Sequence, residues 1–119
     1  MIGALRNLSV SMTALRAGEW RGNTLPDLGH DPQGKVLGIL GMGGIGRNMA
    51  KKALVFGMKI RYYNRTRLSE DVERECEAEY VDFETLLKES DVLSLNLPLN
   101  VSLESLESLE SLSPPPLQV

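Results

Sequence analysis

The stretch from Lys35 to Gly57, KVLGILGMGGIGRNMAKKALVFG, restricts the fold more than any other part of the chain. A short apolar run, Val36, Leu37, Ile39 and Leu40, contains β-branched members and reads as a strand. Gly41, Gly43 and Gly46 follow at G-x-G-x-x-G spacing. Met49, Ala50, Ala53, Leu54 and Phe56 then recur at helical intervals. Gly41 permits a sharp turn out of the strand. Gly43 lets backbone approach a pyrophosphate with no Cβ between them, and Gly46 lets helix and strand pack closely. The helix would then turn its free amides and positive dipole end towards the phosphates. Arg47 and Asn48 stand where a Walker A loop needs Lys and Ser/Thr, so that loop is excluded. A kinase-type glycine loop joins two strands, whereas this one opens a helix. The competing reading is a structural turn that binds nothing.

Downstream, Lys59 to Tyr63 (KIRYY) predicts a second strand. Its helical crossover from the first makes the pair parallel and right-handed. Ser69 predicts the cap of a polar helix, SEDVERECEAE, whose dispersed carboxylates read as a solvated face. Tyr80-Val81 is expected as a third strand, and DFETLLKES as a third helix with Phe83, Leu86 and Leu87 on one side. Asp91 to Leu97 is expected as a fourth strand, ended by Pro98. The fold class is therefore α/β, a partial doubly wound Rossmann fold over residues 35–100 with parallel sheet order 3-2-1-4. The switch point between the first and fourth strands supplies the binding crevice.

The flanks differ in kind. Met1, Leu5, Leu8, Met12 and Leu15 form one apolar stripe, so residues 1–18 are expected as an entering helix stopped by Gly18. That stripe must pack on the following domain or on a second chain. Residues 19–34, with Trp20 as an anchor and His30 as a solvated histidine, read as a linker loop. From Val101 the chain runs SLESLESLESLSPPPLQV. Its leucines step by three and drift around a helix of 3.6 residues per turn. Residues 101–119 are expected to be a low-complexity, disordered tail. The fourth strand would then keep an unpaired edge that invites self-association.

Composition excludes several classes. A formal net charge of −3 offers no general attraction for nucleic acid. The single cysteine, Cys76, allows no internal disulfide and suits a reducing compartment. No run is apolar enough over a membrane's thickness, and no secretory signal stands at the N-terminus. A cytoplasmic location is expected by default. No metal site is expected, because His30 has no partner at ligand spacing.

The residues after the second strand bear on which nucleotide is bound. An Asp or Glu about 20 residues past the glycines usually accepts from the adenosine ribose 2′-OH. Here Asn64 takes that place, followed by Arg65-Thr66-Arg67. A carboxylate would repel a 2′-phosphate, whereas arginines clamp one with charge-assisted bonds. NADP(H) is expected over NAD(H). The alternative is that Arg65 and Arg67 merely start the next helix.

In these segments the chain resembles the D-isomer-specific 2-hydroxyacid dehydrogenases, in particular the glyoxylate/hydroxypyruvate reductase branch. RNLSVSMTALRAGEWRG is similar to the helix entering the family's cofactor domain. GKVLGILGMGGIGRNMAKKALVFGMKIRYYNRTR is similar to its dinucleotide unit. FETLLKESDVLSLNLPLN is similar to the helix and strand that lead to a cofactor-touching loop. Carried over by position, the resemblance implies cofactor contacts at Gly44 and Ile45. Asn64, Arg65, Thr66 and Arg67 would hold the adenosine phosphate, and Leu97 and Pro98 would lie near the nucleotide.

The family's catalytic Arg, Glu and His lie in segments beyond the position of Asn100, and none of those segments is found here. No catalytic residue is assigned, and His30 does not match the family's histidine. The chain leaves the family pattern near Asn100, as a truncated or misjoined gene product would. The resemblance thus implies hydride transfer between NADPH and a small 2-oxo acid in the family, but an inactive NAD(P)-binding fragment here. The alternative is a non-catalytic dinucleotide-binding or interaction module. As partners, the cofactor and a homodimer through the N-terminal helix or open sheet edge are expected.

Overall fold

The computed structural model describes residues 1–19, 28–98 and 117–118. Trp20 and most of the expected tail lie outside these residues. The chain divides into two units, Met1–Pro32 and Gln33–Val119.

The first unit holds two helices where the sequence predicts one: α1 (Ile2–Leu5) and α2 (Leu8–Arg16). The break falls at Asn7, whose φ of 52° is left-handed. Asparagine is one of the few residues that adopts this conformation readily. Gly18, at φ 79°, closes α2. Its N–H donates to the Leu15 carbonyl and that of Glu19 to the Ala14 carbonyl, the paired bonds of a Schellman stop. Leu8, Met12 and Leu15 are exposed on α2, while Leu5 is buried. The returning chain is tied beside Leu5, where the His30 N–H donates to its carbonyl at 2.8 Å.

The second unit is a parallel sheet with helices on both faces. Its elements are β1 (Val36–Leu40), α3 (Gly44–Val55), β2 (Lys59–Tyr63), α4 (Glu70–Glu75), β3 (Ala78–Tyr80), α5 (Phe83–Glu89), β4 (Val92–Leu95) and β5 (Leu117–Gln118). The sheet order is β3-β2-β1-β4-β5, and every neighbouring pair is parallel. The expected order 3-2-1-4 is present, and the sheet runs one strand further. Leu117–Gln118 pairs with Val92–Leu93, so that part of the β4 edge is covered rather than open. A two-residue strand is too short for periodicity to reveal.

Burial explains why β1 is apolar throughout. Leu37, Ile39 and Leu40 are all in the core. Successive side chains of a strand point to opposite faces. Ile39 meets α3 at Gly46, while Leu40 clusters with Leu86 and Leu87 of α5 and Leu93 of β4. A strand covered on both sides needs a continuous hydrophobic run, and this one has it.

Two local expectations are corrected. α4 ends at Glu75, not at Glu79. Glu77 turns the chain at φ 46°, and Ala78–Tyr80 pairs with Ile60–Tyr62 of β2. Sheet pairing and the burial of Cys76 and Ala78 override the helical pattern there. Ser69 stands at the cap position of α4, but its side chain makes no capping bond. Asp82 does cap α5: its Oδ1 accepts from the Thr85 N–H at 2.9 Å, and its Oδ2 from the Thr85 hydroxyl at 2.6 Å.

Candidate functional site

The carboxyl ends of β1, β2 and β4 converge on the glycine turn. Gly41 leaves β1 at φ 90°, and a Cβ there would lie 2.6 Å from the Asn96 carbonyl oxygen. A Cβ on Gly46 would lie 2.8 Å from the Gly41 carbonyl oxygen and 3.0 Å from Ile39. Both positions therefore require glycine for the fold itself. Gly43 differs, because nothing stands within 4 Å of where its Cβ would be. The protein alone does not explain that glycine, and the free space leaves room for close approach of a ligand.

The helix start supplies donors at the same place. The first intrahelical bond of α3 runs from the Arg47 N–H to the Gly43 carbonyl, 2.9 Å. The amides of Gly44, Ile45 and Gly46 precede it and have no acceptor one turn back. A cavity of about 540 Å3 runs along this face of α3, lined by Gly44, Ile45, Asn48, Met49 and Lys52.

The end of β2 is wired into the turn. Asn64 Oδ1 accepts from the Met42 N–H at 2.7 Å, which leaves the Asn64 amide nitrogen as a donor. The Tyr80 hydroxyl donates to the Asn64 carbonyl at 3.3 Å. Arg65 and Thr66 are exposed. Arg67 is not a free surface cation. Its Nε and Nη2 donate to the two oxygens of Glu73 at 2.8 and 2.9 Å, and its guanidinium lies 5.6 Å from the Tyr80 ring centroid. Glu73 Oε1 also accepts from the buried Tyr62 hydroxyl at 2.5 Å. That hydroxyl in turn accepts from the Leu68 N–H.

These contacts set the protonation of the cluster. Hydrogen bonds from Arg67, then from Tyr62, hold the Glu73 carboxyl down at about 2. Burial, and then the bond to Glu73, push the Tyr62 hydroxyl up to about 12. The bonds to Glu73 raise Arg67 further still.

Leu97 stands beside the turn, its Cδ2 within 3.0 Å of where a Gly41 Cβ would be. Pro98 follows it and is exposed. Asn96 extends the β4 ladder by donating to the Leu40 carbonyl, and its side chain donates to the buried Ser94 hydroxyl at 3.0 Å. Sequence reasoning placed Asn64 and the arginines at one strand end. It missed the Tyr62, Glu73 and Tyr80 partners, because Glu73 sits among many carboxylates and only tertiary packing singles it out. Cys76 is buried, and burial pushes its thiol up. Among the described residues, no cluster of His, Cys, Asp and Glu could hold a metal ion, and no helix is long and apolar enough to cross a membrane.

Residues 1–113 match the family model of the D-isomer specific 2-hydroxyacid dehydrogenase NAD-binding domain. The chain belongs to this family. It is 65% identical over 102 residues to 4-methyl-2-oxopentanoate reductase A of Aspergillus oryzae, covering 86% of this chain and 30% of that protein. It is 49% identical over 104 residues to a glyoxylate reductase of Thermococcus litoralis, covering 83% of this chain and 31% of that one. The crystal structure of a glyoxylate reductase from Paecilomyes thermophila superposes with a TM-score of 0.73 at 59% identity, over 85% of this chain and 30% of the other. The 119-residue chain thus spans about a third or less of the length of these 2-hydroxyacid dehydrogenase relatives. The matched part is the dinucleotide-binding portion of the family fold.

Proposed function

We propose that this chain is a dinucleotide half-site that binds NADP(H) in preference to NAD(H), within a glyoxylate- or hydroxypyruvate-reductase type of 2-hydroxyacid dehydrogenase. The observation that carries the reading is Gly43. Its missing side chain opens a space that no described protein atom fills, beside the amides of Gly44, Ile45 and Gly46, which precede the first intrahelical bond of α3. A diphosphate there would meet the amides of Gly44 and Ile45 and the positive end of the helix dipole. Leu97 and Pro98 would border the nucleotide from the β4 side. When bound, the nicotinamide would supply or accept the hydride.

Selection of the phosphorylated form falls to the end of β2. Asn64 stands where NAD-selective folds carry a carboxylate, and its free amide nitrogen is a donor. Arg65, Thr66 and Arg67 follow it directly. Calorimetric titration with NADPH and NADH, repeated on Arg65→Ala, tests the reading. Tighter binding of NADPH that is lost in the variant is expected. Equal affinities throughout would overturn it.

The same 119 residues are proposed to lack turnover alone. Reducing a 2-oxo acid needs a proton donor beside the carbonyl and a cation for the carboxylate. The resemblance puts the family's Arg, Glu and His beyond the position of Asn100, and His30 lies in the first unit, its backbone tied to Leu5. Reduction of glyoxylate above background by the purified chain would refute this.

The exposed Leu8, Met12 and Leu15 on α2 favour an added role in self-association through that helix. Light scattering of the chain tests it, and a clean monomer argues against it.

A further inference from the structure

We infer that Glu73 is a positioning residue for nucleotide selection: it fixes one edge of Arg67 so that the other edge is presented to a 2′-phosphate. This rests on the NADP(H) reading above and deepens it.

The geometry is that of a guanidinium held from behind. Glu73 takes Nε and one hydrogen of Nη2. Arginine has five N–H donors in a rigid fork, so three remain, two of them side by side on the Nη1–Nη2 edge. The exposures agree with this division. The Glu73 side chain is 12% exposed and that of Arg67 is 61% exposed. The anchor is sunk and the tip is out. Glu73 is itself fixed by the Tyr62 hydroxyl, which is bound to the Leu68 N–H. The Tyr80 ring supports the guanidinium plane, and its hydroxyl is bound to the carbonyl of Asn64, the residue that holds the glycine turn. Arg67 and the phosphate-binding turn are therefore referenced to one another through Tyr80 and Asn64.

An ion pair whose arginine is this exposed adds little to stability. Its stronger consequence is entropic. A long side chain that is already ordered loses less freedom on gripping an anion. The negative charge of Glu73 would oppose a phosphate if it were bare, but it is spent on Arg67 and Tyr62.

Calorimetry with NADPH and NADH on the 119-residue chain tests the assignment, using wild type, Glu73→Ala, Glu73→Gln, Arg67→Ala and the Glu73→Ala/Arg67→Ala double variant. Glu73→Ala should weaken NADPH about ten-fold, the size of one charge-assisted hydrogen bond, and NADH by less than about two-fold. Glu73→Gln keeps an acceptor for Tyr62 and should fall between wild type and Glu73→Ala. In the Arg67→Ala background, removing Glu73 should leave NADH unchanged and should not weaken NADPH further, since the carboxylate left bare there opposes the phosphate. An unchanged or improved preference for NADPH in Glu73→Ala overturns the assignment. So does an equal loss for both dinucleotides with a lowered melting temperature, which would mark Glu73 as support for the fold. If Glu73→Ala does not fold, Glu73→Gln decides by the same ratio. A wild type without preference for NADPH refutes the NADP(H) reading itself. A wild type with the preference, retained in Glu73→Ala, refutes only the role given to Glu73.

Discussion

Asn64 Oδ1 accepts from the Met42 N–H at 2.7 Å across 22 residues of sequence, which joins the end of β2 to the glycine turn after β1. One side chain therefore does two things. It takes an amide of the turn that would otherwise need an acceptor, and on the reading proposed above it puts a neutral amide where a carboxylate would select the unphosphorylated cofactor.

These two roles separate by substitution. Asn64→Asp keeps an acceptor for Met42 and adds charge. It should hold the turn, weaken NADPH by tenfold or more, and leave NADH unchanged or tighter. Asn64→Ala frees the turn and should weaken both dinucleotides together, with a stability loss of about 1–2 kcal/mol for the orphaned amide. Titration calorimetry and thermal melting on the two variants check this, and a parallel loss in both would contradict it.

The three glycines of the motif make a second test. Gly43→Ala meets no protein atom, so its stability should stay within about 0.5 kcal/mol of wild type while NADPH binding falls steeply. Gly41→Ala combines a positive φ with a Cβ 2.6 Å from the Asn96 carbonyl and should destabilise the chain by more than about 2 kcal/mol. Urea unfolding beside calorimetry separates the two effects. Unimpaired binding in Gly43→Ala would remove the main support for a dinucleotide in the turn.

Much of this was legible in the sequence because period and spacing are local. The run Val36–Leu40, the glycine spacing and KIRYY each name their element, and β2 falls at the residues the pattern marks. What was illegible depended on distant neighbours. Nothing local says that Asn7 turns left-handed and splits the first helix, or that α4 stops at Glu75 so that Ala78 can pair with Ile60. Nor does a polar helix reveal which of its carboxylates faces inward. Glu73 is distinguished only by Tyr62 and Arg67, which are brought to it by the fold.

Gly38 supplies a case the motif conceals, since it lies inside β1 and outside the G-x-G-x-x-G spacing. A Cβ there would overlap the Ser90 Oγ and lie 2.9 Å from its Cβ, so the end of α5 passes directly over the strand. Gly38→Ala should cost about 1–3 kcal/mol through overpacking. Adding Ser90→Gly should recover part of that loss, although Ser90→Gly alone destabilises by removing the bond from its hydroxyl to the Leu86 carbonyl. A double-variant cycle by chemical denaturation measures the coupling, and strictly additive losses would show that the contact does not govern the site.

The Tyr62–Glu73–Arg67 cluster should leave a small mark on stability at both ends of the pH range, the acid one screened by the exposure of Arg67. Glu73 ionises near 2 in the folded chain and near 4.5 when free, so the folded state binds fewer protons between these values. Its contribution is complete above about 4.5 and is lost as pH falls towards 2. Tyr62 behaves oppositely, because its pKa rises from 10.0 to about 12 on folding. The folded state keeps that proton longer, so the contribution is complete below pH 10 and is lost as pH rises towards 12. Melting temperatures followed across pH should fall at both limits. Arg67→Ala should flatten the acid limb, since Arg67 is the larger cause of the Glu73 shift, while Tyr62→Phe should remove the tyrosine's share of the alkaline limb. An acid limb unchanged by Arg67→Ala would mean that the ion pair does not hold Glu73 ionised in solution.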